Sequence, residues 1–71
     1  MDRIAIIGLG LIGGSIGLAL KRANQGSLEV IGFDTESQAA KKSEKLGAIS
    51  RATRSLNEAV EGANMVIIST P

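Results

Sequence analysis

Five glycines crowd the stretch from Gly8 to Gly17, and the hydrophobic period changes across them. Before them, Arg3-Ile4-Ala5-Ile6-Ile7 is a short β-branched run, apolar on both faces, as a buried parallel strand should be. After them, Ile12, Ile16, Leu20 and Ala23 recur at helical spacing, with Gly26 as the expected stop. A chain that leaves a buried strand, turns tightly and enters a helix within a few residues has few architectures open to it. One competing reading is a membrane segment, because Ser15 is the only polar side chain between Ile4 and Leu20. That run is short for a span of ~20 residues. Each glycine weakens a helix by up to ~1 kcal/mol. Asp2 also cancels Arg3 ahead of it, which makes a poor secretory signal. A soluble, cytoplasmic domain is expected instead.

The rest of the chain repeats the alternation. Leu28 to Phe33 reads as a second strand ending at Asp34. Thr35-Glu36-Ser37-Gln38 has capping-box spacing with Thr35 as the cap, and a polar helix then runs to about Leu46 and stops at Gly47. Ala48-Ile49-Ser50 is expected to be a very short third strand. Ser55-Leu56-Asn57-Glu58 is a second capping box, opening a short helix that Gly62 ends. Met65 to Ser69 is another continuous apolar strand. Strands alternating with helices give a Rossmann-type α/β fold, a parallel sheet with flanking helices and right-handed crossovers. The last strand is followed by no helix, so residues 1–71 read as the first half of a dinucleotide-binding domain.

Gly8-Leu9-Gly10-Leu11-Ile12-Gly13 matches G-x-G-x-x-G, a weak pattern alone but a specific one between a strand and a helix. Gly8 permits the turn, Gly10 clears room for a pyrophosphate, and Gly13 lets helix and strand pack closely. The N–H groups of the first helical turn then face the phosphates. An acidic residue is expected about 20 positions on, at the end of the second strand. Asp34 lies 21 positions beyond Gly13. Its carboxylate would accept the adenosine ribose hydroxyls and repel a 2′-phosphate, so NAD is expected over NADP. The first cation after it is Lys41, and Arg51 and Arg54 follow in the next loop. Thr35 is first a cap and second an adenosine contact. Ser69, Thr70 and Pro71 follow the carboxyl end of a central strand, where open α/β sheets place ligands, and are expected near the nicotinamide ribose. Gly14 and Gly17 are expected to serve helix packing, Ser15 to be a helix-surface hydroxyl or a ligand contact, and Lys41, Lys42, Glu44 and Lys45 to form a solvated face.

Composition narrows the chemistry. The 71 residues carry a net charge of +1, which suggests neither nucleic acid nor an anionic membrane as partner. One phenylalanine, Phe33, is the whole aromatic content, too little for base stacking. The absence of cysteine excludes disulfides and thiolate metal sites. Without histidine or tyrosine, two common general acid/bases are missing, and no catalytic residue is assigned within this chain.

Ile4 to Ser15, with its Gly-Leu-Ile-Gly-Gly-Ser ending and the following Ile16-Gly17-Leu18-Ala19-Leu20, resembles the opening of the prephenate/arogenate dehydrogenases. Val30-Ile31-Gly32-Phe33-Asp34, Lys45-Leu46-Gly47-Ala48 and Ala63 to Pro71 resemble that family too. The resemblance implies a two-domain, usually homodimeric enzyme of tyrosine biosynthesis. Such an enzyme oxidatively decarboxylates a cyclohexadienyl substrate, with a histidine and substrate-holding basic residues in later segments. Two alternatives share the fingerprint. One is a dehydrogenase of the 3-hydroxyisobutyrate or 6-phosphogluconate type, although those carry methionine where this chain has Ile12. The other is a non-catalytic dinucleotide-sensing regulatory domain.

Overall fold

β1 (Asp2–Ile7) runs through the middle of a parallel sheet of order β3-β2-β1-β4, with β2 (Leu28–Phe33), β3 (Arg51–Ala52) and β4 (Met65–Ile68). The helices α1 (Leu11–Asn24), α2 (Ser37–Lys45) and α3 (Leu56–Val60) connect them. This is a computed structural model, and it describes residues 2–24 and 27–69. The proposed helix stop at Gly26 lies outside the described residues. No helix among the described residues is long and apolar enough to cross a membrane. The apolar run that raised the question is divided between β1 and α1.

Register follows from burial. Ile4 pairs with Val30 and Met65, Ile6 with Gly32 and Ile67, and Ile7 with Phe33 and Ile68. Ile4, Ala5 and Ile6 are buried, as are Val30 and Ile31 beside them. A strand covered on both faces must be apolar throughout, which is what the continuous β-branched run encodes. At the amino end of the sheet, Arg3 Nε donates to Glu29 Oε1 at 2.6 Å, and Arg51 Nε stands 4.0 Å from Glu29 Oε2. Arg3 and Asn64 exchange two further bonds, tying β1 to the start of β4.

Two local expectations are corrected. Ala48-Ile49-Ser50 is not a strand, and β3 is Arg51–Ala52, paired with Ile31 and Gly32. Ala48 and Ile49 are apolar because they are buried under the sheet, at 1% and 2% exposure. Ser50 runs beside β2 through mixed bonds: its N–H donates to the Val30 carbonyl, and its Oγ accepts from the Val30 N–H. Nor is Thr35 the cap of α2. Glu36 occupies that position, with no side-chain cap. Asp34 accepts the Glu36 N–H at 2.8 Å, the two-residue turn that aspartate favours, just ahead of the helix.

The remaining boundaries follow their expected chemistry. Gly47, at φ +79°, ends α2 with the paired bonds Gly47 N–H to Glu44 O and Ala48 N–H to Ser43 O, a left-handed C-cap that suits glycine. Ser55 Oγ accepts the Glu58 N–H at 3.1 Å and starts α3. Gly17 packs so tightly that a Cβ there would strike the Ala48 carbonyl. Gly14 is a different case: a Cβ would meet only Ser43 Oγ at 3.8 Å, so packing does not require glycine there.

Candidate dinucleotide-binding site

The carboxyl ends of β1, β2 and β4 open at one edge of the sheet, where parallel strands leave room for a ligand. Gly8 follows β1, Asp34 follows β2 and Ser69 follows β4. Gly8 has φ +98°, a conformation that side chains disfavour, and this permits the turn into α1. Its N–H donates to the Phe33 carbonyl at 2.8 Å, and the Ser69 N–H to the Ile7 carbonyl at 2.8 Å, so all three strand ends are bonded together.

The turn itself is held from several sides. Ser69 Oγ donates to the Gly8 carbonyl at 2.8 Å. Asp34 Oδ2 accepts the Leu9 N–H at 2.6 Å. Ser43, 5% exposed on α2, lies with Oγ 3.4 Å from the Leu9 carbonyl, a long contact. By contrast, the N–H groups of Gly10, Leu11, Ile12 and Gly13 have no protein acceptor among the described residues. The first intrahelical bond is Gly14 N–H to the Gly10 carbonyl at 2.9 Å. Unpaired donors at a helix start, with the positive end of its dipole, form an anion-binding arrangement.

A cleft lies over this turn. Gly8, Gly10, Leu11 and Ile12 line one side of it, Asp34 and Thr35 another, and Ser69 the third. Most of the expected residues are thus brought together. Gly10 is exposed, and a Cβ on it would meet nothing within 4 Å, so the space it leaves belongs to the cleft. Leu11 and Ile12 project outward at 89% and 67% exposure.

Two expected residues do not line the cleft. Leu9 is 3% exposed, a core side chain whose N–H is already taken by Asp34. Gly13 is buried, and its role is packing: a Cβ there would strike the Gly8 carbonyl and come within 2.7 Å of Ser69 Oγ. Ser15 donates to the Leu11 carbonyl at 2.8 Å within its own helix. Thr70 and Pro71 lie outside the described residues. Sequence reasoning missed Ile7, Phe33, Glu36 and Ala39, which also line the cleft. Three of them border residues already named, and that adjacency was the available signal. Ser43 was missed as well, because a serine on a polar helix carries no mark of burial.

The sequence pattern of the family described as "NADP oxidoreductase coenzyme F420-dependent" matches residues 3–71. The chain belongs to this family. Prephenate dehydrogenase of Bacillus subtilis (strain 168) is 44% identical over 70 residues, covering 99% of this chain but only 19% of that protein. The crystal structure of prephenate dehydrogenase from A. aeolicus, in complex with hydroxyphenyl propionate and NAD+, superposes with a TM-score of 0.87 at 28% identity. It covers all of this chain and 25% of that one. Synechocystis arogenate dehydrogenase gives a TM-score of 0.85 at 26% identity, over 97% of this chain and 23% of that one. The resemblance to prephenate and arogenate dehydrogenases, first seen in the glycine turn, therefore extends over nearly all of the chain, while the chain spans a quarter or less of each relative.

Proposed function

We propose that residues 1–71 are the NAD-binding portion of a prephenate/arogenate-type dehydrogenase, with NAD preferred over NADP. The observation that carries this reading is Asp34, set across the cleft from the unpaired N–H groups of Gly10, Leu11 and Ile12. The residues suit a dinucleotide. The cleft has room above Gly10, donors for a pyrophosphate at the start of α1, and the Asp34 carboxylate on its lining, where this fold usually places the ribose acid. Both Asp34 oxygens already accept backbone N–H groups, and each carboxylate oxygen can accept a second bond. Ribose hydroxyls can therefore donate to Asp34 without displacing the turn. Ser69 Oγ, while donating to Gly8, keeps lone pairs facing the cleft end of β4 and can accept from a ligand hydroxyl.

When bound, the nicotinamide would supply hydride acceptance in an oxidative decarboxylation, with carbon dioxide leaving as the substrate ring becomes aromatic. This chain's share is to bind and orient that cofactor. Neither histidine nor a substrate-holding basic cluster has been assigned here, so the 71-residue chain alone is expected to be inactive. The test is turnover by the full-length protein with prephenate and with arogenate, each with NAD and NADP, beside the 71-residue chain. Oxidation of either substrate with NAD by the full-length protein supports the reading. Failure with both, or turnover by the short chain, refutes it.

A further inference from the structure

A serine inside a helix commonly turns its hydroxyl back onto its own helix, as Ser15 does on the Leu11 carbonyl. Ser43 of α2 does not. Its buried hydroxyl leaves the helix and donates, over 3.4 Å, to the Leu9 carbonyl in the glycine turn. Ser43 is the one partner of that carbonyl among the described residues, and Leu9 is itself buried, so solvent cannot take its place. The Leu9 carbonyl shares a planar trans peptide with the Gly10 N–H, and the two point in opposite directions. A carbonyl drawn in toward α2 therefore turns the Gly10 N–H outward, to the side of the turn where Gly10 lines the cleft. That N–H has no protein acceptor among the described residues.

The neighbouring Gly8–Leu9 peptide is bonded at its carbonyl by Ser69 and at its N–H by Asp34. Those bonds leave the Leu9–Gly10 peptide to rotate about the two single bonds that flank it. Gly10 has φ outside the left-handed region, but glycine enters that region about as readily, so its own backbone does not resist a flipped peptide. A flip would bury the Gly10 N–H and swing the Leu9 oxygen out over the turn, a negative dipole end where a pyrophosphate is expected. We infer that Ser43 is a positioning residue for the pyrophosphate, holding the Leu9–Gly10 peptide with its carbonyl inward and its N–H toward the ligand. The inference deepens the proposed function and rests on a dinucleotide lying in the cleft. Ser43 does not itself line that cleft and acts through one peptide. Its helix also supplies Ala39 to the cleft lining, so the element that borders the ligand also sets the phosphate turn.

The experiment is calorimetric titration of the full-length protein, parent and variants, with NAD, ADP and adenosine. NAD and ADP carry a pyrophosphate, whereas adenosine carries none and draws only on the Asp34 side of the cleft. Ser43→Ala removes the donor and suits a helix. It is expected to weaken NAD and ADP by about 3- to 10-fold and to leave adenosine within about 2-fold of the parent. Ser43→Cys is close in size and keeps a weak donor, and it should recover part of the loss. A role in packing alone would move all three affinities together or none of them. Selective loss with NAD and ADP, partly recovered by cysteine, supports the inference. Parental NAD affinity in Ser43→Ala, or an equal loss with adenosine, overturns it. Thermal melts accompany the titrations, and should Ser43→Ala fail to fold, Ser43→Cys is judged by the same comparison of ADP with adenosine. Unaltered protein that binds no NAD would instead refute the dinucleotide reading, and the role of Ser43 with it.

Discussion

Gly10 and Gly13 belong to one motif, and the structure predicts opposite consequences for substituting them. A Cβ at Gly13 would overlap the Gly8 carbonyl and press on Ser69 Oγ, and the first of these is backbone that cannot rotate away. Relief requires α1 to move off β1, which breaks the turn and the packing beneath it. Overpacking of this kind costs about 1–3 kcal/mol and more when backbone must shift, so at least ~3 kcal/mol is expected for Gly13→Ala. At roughly 0.05–0.15 kcal/mol per residue, a domain of this length has about 4–10 kcal/mol in total, and the substitution removes a large share. The melting temperature of the unit should fall by roughly 12–24 °C, at about 4–8 °C per kcal/mol. At Gly10 a Cβ meets nothing, and φ there is not in the left-handed region, so Gly10→Val should change stability within about 0.5 kcal/mol. Its side chain instead fills the room over the unpaired N–H groups, and dinucleotide binding should be abolished. The assays are thermal unfolding by circular dichroism and NAD titration by calorimetry on both variants. A Gly13→Ala protein that melts with the parent, or a Gly10→Val protein that binds NAD with parental affinity, would refute the assignment of packing to one glycine and phosphate access to the other.

Ser55→Ala removes the side-chain acceptor of the Glu58 N–H and should cost about 0.5–2 kcal/mol by urea unfolding, with Ser55→Asp close to neutral. Glu29→Gln leaves an amide oxygen to accept from Arg3 Nε but removes the charge of the pair; both side chains are about a third exposed, so the loss should be about 0.2–1 kcal/mol and should shrink in 1 M salt, as paired melts at low and high salt would show. Ser69→Ala leaves the Gly8 carbonyl without its donor and is expected to weaken NAD binding about 5- to 10-fold, with Ser69→Thr restoring part of it, as read by titration.

The elements that sequence reasoning located were those whose signal is local. β1, the glycine turn and α1 follow from a change of period within a dozen residues, and Asp34 from its place after β2. The shortcomings came where a bond or contact not encoded in the local pattern decided the outcome. Ile49 looks like strand because it is apolar, yet its burial comes from packing under the sheet, and the pairing with β2 moves on to Arg51 and Ala52. Thr35 has the spacing of a cap, yet Asp34 was already turned toward the Glu36 N–H while holding Leu9 on its other oxygen. Gly14 sits in a glycine cluster, yet the neighbour that would have demanded glycine stands 3.8 Å from where a Cβ would be. For Ile49 and Gly14 the deciding atoms lie on another element, and for Thr35 on the preceding residue, itself bonded to Leu9 of the glycine turn.

That second bond of Asp34 changes what the acidic residue does in this chain. The Gly8–Leu9 peptide is gripped at its carbonyl by Ser69 and at its N–H by Asp34, from two different strand ends. A planar peptide fixed at both ends cannot rotate, so the next N–H groups, from Gly10 onward, are held in place before any ligand arrives. Binding then forfeits little further backbone freedom, which is the usual gain from a preformed site. Under the proposed NAD reading, recognition of the ribose and shaping of the phosphate turn fall to the same carboxylate. A substitution at Asp34 that discards both oxygens should weaken NAD by more than the lost ribose bonds alone, whereas asparagine, which keeps one acceptor for the Leu9 N–H, should lose less. The difference between alanine and asparagine at this position measures the part of the affinity that belongs to the turn.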